Sequence, residues 1–466
     1  MISDAVAYAG VIGQAELVRS GELSSVQLTT GLLDRIARLD PGLGAFRLVM
    51  AEKALAEAAE RDEAAAADRG PLHGVPVAIK DEIDVAGEVT TYGGSAQRTP
   101  AAADAEVVRR LRVAGAVVIG RTRMPEFGQW PFTESVAFGI TRNPWDPART
   151  PGGSSGGSAV AVATGMVALG MGGDGGGSIR IPAARCGLFG LKPQRGRVSS
   201  APYDALWGAL GTCGPLTRSV ADSALVYDVI RGTVAADRWH APDPATSYTE
   251  ALRAPLGSLR IGVTTRSTAP GVRLDPRQRT AFEETVALLA DLGHHVEELD
   301  RRLPDPTVAF LPQYYGAVRD EARLVEAPER LERRTRHTVA LSRAFPPPAV
   351  RWAERRGEAL AARVGELFGR YDVLLTPVVP ALPPATGVLD GMGSVRATML
   401  RSRPAVTYTA IWNVAGNPAA AVPAGFTADG LPLSVQLVGP ANGEALVLQV
   451  AAQLETARPW ADRRPV

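Results

Sequence analysis

One stretch constrains this chain more than any other: Pro151 to Cys186, PGGSSGGSAVAVATGMVALGMGGDGGGSIRIPAARC. Two glycine-serine clusters, Gly152 to Ser158 and Gly172 to Ser178, bracket an apolar segment of helical length. Consecutive glycines let a backbone approach a ligand closely and turn successive N–H groups toward one point, which is how an anion or oxyanion is held. The segment Ile181 to Arg185, with Pro182 in its first turn, predicts a short helix directly after the second cluster. The fold must therefore deliver a base and a substrate pocket to this stretch.

Three motif readings compete for it. Gly170, Gly172 and Gly175 satisfy the dinucleotide fingerprint, but Gly190 to Arg195 offers no acidic residue for a ribose. A phosphate-binding P-loop needs a Gly-Lys-Ser/Thr end, and the stretch contains no lysine. Gly152-x-Ser154-x-Gly156 and Gly153-x-Ser155-x-Gly157 both fit a hydrolase nucleophile elbow, with His240, His294, His295 or His337 as downstream bases, and this reading stays open. Each of those histidines lies in charged or loop-like surroundings that predict a surface position.

Lysine supplies another candidate base. Only three of the fifty basic residues are lysine, at Lys53, Lys80 and Lys192. A guanidinium stays protonated, whereas a buried amine can be neutralised and used as a base. Lys53 lies in an alanine- and charge-rich helix and is expected to be a solvated charge. Lys192 is expected to pair with a carboxylate. Lys80 ends the apolar run Val75-Pro76-Val77-Ala78-Ile79, a buried strand, and so stands where a strand leaves the core. Ser178 beside the oxyanion loop, Ser154 as a bridging hydroxyl and Lys80 as base make a relay without histidine.

Alternating strands and helices along the chain predict an α/β fold. Helices are expected at Gln14–Asp40, with a Ser24/Gln27 capping box and a stop at Pro41-Gly42, and at 51–68, 104–114, 219–231, 275–292 and 444–457. Strands are expected at 75–80, 116–119, 259–263, 296–299, 371–377, 419–422 and 433–438, and 186–191 is an apolar, glycine-rich run ended by Lys192-Pro193. Residues 305–369, rich in arginine and glutamate, read as solvated helices broken by Pro346 to Pro348, and 380–393 as a loop able to cover a pocket. Tyr408 and Trp412 are candidate wall residues.

Composition narrows the partners. Lys+Arg total 50 and Asp+Glu 49, so no basic field draws the chain to nucleic acid or an anionic membrane. The N-terminus lacks a basic-then-apolar leader and no apolar run reaches membrane-spanning length, so a soluble cytoplasmic protein is expected. Cys186 and Cys213 are too few for a disulfide framework or zinc ribbon and read as structural thiols. No cofactor and no metal is expected, and the partner is a small molecule.

Gly74 to Asp81, Pro151 to Ser158, Gly172 to Pro182, Cys186 to Pro193, Gly416 to Phe426 and Gly430-Leu431-Pro432 together resemble the amidase signature family, over most of the chain. The resemblance implies a large mixed central β-sheet covered by helices on both faces, a single domain over residues 1–466 with a signature core near 70–215, and a substrate-shaping region near 305–400. It implies Ser178 as nucleophile, Ser154 on a cis peptide bond as bridging serine, Lys80 as base, and the backbone N–H groups of Gly175, Gly176, Gly177 and Ser178 as oxyanion hole. Asp174 and Arg180 match positions that brace this loop. Gly173 and Gly175 depart from the family's Gly-Ser-Asp-Thr-Gly-Gly-Ser, standing for its serine and threonine.

The activity so implied is hydrolysis of non-peptide C–N bonds through an acyl-Ser178 intermediate. Aryl or alkyl amides come first as substrates, then carbamates (urethanes) and esters, which present the same sp² carbonyl. The expected state is a monomer or homodimer. Two alternatives stand beside this reading: the amidase subunit of a tRNA-dependent amidotransferase, and a non-catalytic binding relative.

Overall fold

A computed structural model describes residues 2–465. Eleven strands form one mixed sheet: β1 (Phe46–Val49), β2 (Pro76–Lys80), β3 (Val117–Thr122), β4 (Leu169–Gly173), β5 (Phe189–Lys192), β6 (Cys213–Thr217), β7 (Arg260–Val263), β8 (His295–Glu298), β9 (Val373–Pro377), β10 (Ala419–Phe426) and β11 (Pro432–Val438). Their spatial order is β1-β3-β2-β4-β6-β5-β10-β11-β9-β7-β8. The sets β3-β2-β4 and β9-β7-β8 are parallel inside, and antiparallel pairs join them through the middle. This is the mixed sheet the resemblance implied.

Both faces are covered, as the near-continuous apolar character of the strands requires. Along β2 the side chains alternate, with Val77 and Ile79 entering one core cluster and Ala78 the other. Helices Glu106–Val113, Val220–Ile230, Pro276–Asp291 and Glu444–Ala457 close the first face. Helices Ser25–Leu43, Gly156–Ala163 and Arg180–Cys186 close the second. No helix among the described residues is long and apolar enough to cross a membrane.

Several expectations are corrected. The first helix is two, Gly10–Arg19 and Ser25–Leu43; the second begins at the Ser24/Gln27 capping box and runs through Pro41 to a left-handed Gly44. Proline in the last turn removes one backbone donor while the flanking turn persists. Strands β1, β4, β5 and β6 lie outside the expected set. The glycines of β4 and Pro215 within β6 argue against strands locally, yet Pro215 pairs with Met171 in the sheet. The break expected at Pro346 to Pro348 falls between the helices Arg333–Ser342 and Pro347–Gly365, and the prolines start the second of them.

Candidate active site

The parallel strands β2 and β4 end side by side, and the chain beyond each end builds the site. Such carboxyl ends are where open α/β sheets bind ligands. Lys80 is the last residue of β2, and its side chain is only 1 % exposed. Its Nζ lies 2.8 Å from Ser154 Oγ and 2.8 Å from Glu82 Oε1. The neighbouring Asp81 is buried between Arg47, at 2.9 Å, and Arg121, at 3.1 Å.

The first glycine-serine cluster is locked from several sides. The Gly153–Ser154 peptide bond is cis. Thr133 Oγ1 donates to the Gly152 carbonyl at 2.8 Å and accepts from the Gly156 N–H at 3.1 Å. The Ser155 N–H donates to the Ser178 carbonyl at 3.2 Å, and Ser155 Oγ donates to the Gly173 carbonyl at 3.2 Å. These bonds tie the first cluster to the second, and Ser154 and Ser178 line one cavity with Lys80.

Asp174 and Arg180 hold the second cluster. Arg180 spans both carboxylate oxygens of Asp174 at 2.9 and 3.0 Å and reaches Asn413 Oδ1, Gln436 Oε1 and the Thr409 carbonyl. Burial alone would raise the Asp174 carboxyl, but the Arg180 charge and hydrogen bonds from Arg180 and Asn413 outweigh it and hold it well below the usual carboxylate range. The Gly177 N–H donates to Asp174 Oδ1 at 2.7 Å, so this expected oxyanion donor is spent on the brace. The N–H groups of Gly175, Gly176 and Ser178 meet no acceptor among the described residues.

A side chain at either of the two departures, Gly173 or Gly175, would meet a neighbour. A Cβ on Gly173 would lie 2.0 Å from Glu82 Oε1, and one on Gly175 would lie 2.8 Å from Trp207 Cε3. Glu82 and Trp207 occupy the space that side chains at these positions would need.

Two cavities meet at Gly128, Ser178 and Trp207. The inner one holds Lys80, Glu82, Ser154 and Glu321. Burial, with Glu82 nearby, pushes the Glu321 carboxyl well above its ordinary range, while Lys80 and Trp207 pull the other way. Its Oε2 has no hydrogen-bond partner among the described residues. The outer cavity is mostly apolar, walled by Trp130, Ile181, Trp207, Phe310, Leu311, Tyr314 and Val406.

Other expected participants lie elsewhere. None of the histidines lines either cavity, which removes the elbow reading. Lys53 pairs with Glu88 at the surface. Lys192 forms no ion pair among the described residues and donates to the Pro193 carbonyl at 2.7 Å; burial, aided by Arg180, lowers it to about 7. Cys186 and Cys213 are buried free thiols that burial pushes up, Cys213 to about 12. Trp412 and Tyr408 are core residues, the Tyr408 hydroxyl donating to the Thr265 carbonyl, and neither lines the cavities. The loop 380–393 does not reach the pocket but packs Val388, Leu389 and Met392 behind Trp130. Sequence reasoning missed Glu82, Glu321 and the aromatic wall, because none sits in a motif and only the fold brings them together.

Comparison with known proteins covers nearly the whole chain. A family model described as Amidase matches residues 27–448. The amidase-named AmiB2 of Mycobacterium tuberculosis is 46 % identical over 99 % of this chain and 98 % of its own length. Among solved structures, 6-aminohexanoate cyclic dimer hydrolase superposes with a TM-score of 0.91 at 34 % identity, covering 100 % of this chain and 99 % of that one. A bacterial aryl acylamidase superposes with a TM-score of 0.88 at 25 % identity, covering 99 % and 98 %.

Proposed function

Because this chain belongs to the amidase family and is an amide-hydrolysing enzyme, we propose that Ser178 is its nucleophile, Ser154 its proton bridge and Lys80 its base, acting on amides with an apolar aryl or alkyl acyl group. The Lys80 amine takes the proton of Ser154 as Ser154 takes that of Ser178, and Ser178 Oγ bonds to the carbonyl carbon. The N–H groups of Gly175, Gly176 and Ser178 receive the oxyanion, with Gly177 reserved for the Asp174 brace. Collapse expels the amine, which leaves with the returned proton; water then repeats the sequence and frees the acid.

The observation that carries this reading is the 2.8 Å contact of Lys80 Nζ with Ser154 Oγ, in a cavity that Ser178 shares. The substrate class rests on the outer cavity. Trp130, Trp207, Phe310 and Tyr314 give it apolar walls that reward burial of an aromatic or branched acyl group. Such walls suit an anilide better than glutamine, which weighs against the amidotransferase-subunit reading. Aryl carbamates and esters present the same carbonyl to the same groups and fall within reach of the mechanism.

A panel of aromatic and aliphatic anilides, aryl carbamates and glutamine tests this. Apolar anilides are expected to give the highest kcat/KM. A fluorophosphonate adduct is expected on Ser178 by intact mass and peptide mapping. Full turnover by Ser178→Ala or Lys80→Ala, or glutamine as the preferred substrate, would overturn the proposal.

A further inference from the structure

The residue the triad leaves unexplained is Glu82. Its side chain is 14 % exposed and its Oε1 stands 2.8 Å from Lys80 Nζ, the same distance as Ser154 Oγ. The backbone is shaped around it. A Cβ on Gly173 would lie 2.0 Å from Glu82 Oε1 and 3.8 Å from Lys80 Nζ, so a side chain at 173 and the Glu82 carboxylate compete for one place beside the amine. On the other side a Cβ on Gly128 would lie 3.4 Å from Glu82 Oε2 and 3.1 Å from Ser154 Oγ.

We propose that Glu82 is a fourth member of the proton-transfer chain, the carboxylate that orients Lys80 and stabilises the ammonium formed when it takes the proton of Ser154, and that Gly173 is the residue that makes room for it. The inference rests on the Ser178–Ser154–Lys80 reading above. As Ser178 attacks, negative charge grows on the oxyanion and positive charge grows on Lys80. A carboxylate already in contact with that nitrogen lowers the energy of this separated state without reorganising. A base held by a third group is the general logic of activated serine nucleophiles.

The other groups facing the pair leave this role to Glu82. Glu321 and Tyr92 line the same cavity, and burial favours the protonated form of each. Burial likewise keeps the thiol on Cys213. Asp174 is consumed by Arg180, and Asp81 by Arg47 and Arg121.

The test is the pH dependence of kcat on an anilide for wild type, Glu82→Gln, Gly173→Ala and the double variant. Glu82→Gln keeps size and contact but removes the charge. Two changes are expected together: plateau kcat falls by about 10²-fold, and the acid limb moves to lower pH, because no carboxylate now favours the protonated amine. Gly173→Ala displaces the carboxylate and is expected to move both in the same direction. The double variant is expected to add little to either single change. Should Glu82→Gln fail to fold, Gly173→Ala carries the same two readouts.

An unchanged plateau overturns the proposal, and so does a lowered plateau with an unmoved limb, the mark of a merely structural contact. Fluorophosphonate labelling of Ser178→Ala separates this failure from that of the triad: labelling that persists removes the triad and the proposal with it, whereas labelling lost there and unaltered in rate and pH dependence by Glu82→Gln removes Glu82 alone.

Discussion

Gly177 shows how one residue can set the geometry of a site. Its φ of +131° lies where side chains are strained, and a Cβ there would stand 2.5 Å from Thr409 Oγ1, which itself donates to the Gly176 carbonyl. Gly177→Ala must therefore tilt the loop that presents the N–H groups of Gly176 and Ser178. The expected result is a kcat lower by about 10²- to 10³-fold with a smaller change in KM, since in the proposed mechanism the loss falls on the developing oxyanion. Steady-state kinetics, with circular dichroism to confirm folding, checks it. Gly175→Thr restores the family's residue but meets Trp207 at 2.8 Å, so its loss of melting temperature is expected to be less than additive with that of Trp207→Ala. At this scale the sequence was informative where chemistry is rare: three lysines made Lys80 conspicuous, and clustered glycines marked the loop. It was silent on Glu82, since a glutamate after Lys-Asp looks like any solvated charge until Gly173 is folded against it.

Elements were legible where burial and local pattern agree, and less so where the fold overrides pattern. The capping box of Ser25–Leu43 was readable because its signal is local. The helix Thr307–Glu321 was expected to be solvated, yet it buries eight residues from Ala309 to Val318 and brings Phe310, Tyr314 and Glu321 to the cavities. Its charges sit toward its end, and composition averaged over the region hid its apolar face. The next segment docks through another buried carboxylate. Glu126 Oε2 accepts the Glu332 N–H at 2.9 Å just before the helix Arg333–Ser342, and burial raises its carboxyl to about 7 from 4.5. A group with a raised value contributes its full stability below about pH 4.5 and loses it as pH rises through about 7. Glu126→Gln is expected to match wild type near pH 4.5 and to exceed it by up to about 3 kcal/mol near pH 8. Thermal unfolding at both pH values checks this; a gap that fails to widen with pH contradicts it.

Across the whole molecule the sheet is the device that joins distant sequence. Arg180, beside the loop after β4, is held by Gln436 of β11 and by Asn413 and Thr409, more than two hundred residues away. The mixed sheet was implied by family resemblance more than by pattern, because strands such as β4 and β6 acquire their conformation from neighbours already in place. Holding so many side chains under that sheet also buries ionisable groups whose hydrogen-bond partners carry no charge, and the signs of their shifts predict how the protein responds to pH. Glu126 and Glu455, both raised to about 7 by burial, favour folding below about pH 4.5 and progressively less up to neutrality. Lys192 works in the opposite direction. Its value falls from 10.5 to about 7, so the unfolded chain binds its proton more tightly, and stability returns as pH rises above about 7. Above about pH 9 the buried thiols reverse the trend, since Cys186 and Cys213 hold protons in the folded state that an unfolded chain releases. His73, lowered by burial, opposes the carboxyls only below about pH 6.5. With Glu321, raised well above its ordinary range, acting in the same sense as Glu126 and Glu455, the melting temperature is expected to fall from about pH 5 to pH 7. Lys192→Met keeps an unbranched chain in the same space and removes the amine. Its melting temperature is expected to exceed wild type most near pH 6 and by progressively less from about pH 7 toward pH 10.5; a constant difference across that range would show that the lost hydrogen bond to Pro193, and not the buried charge, governs the site.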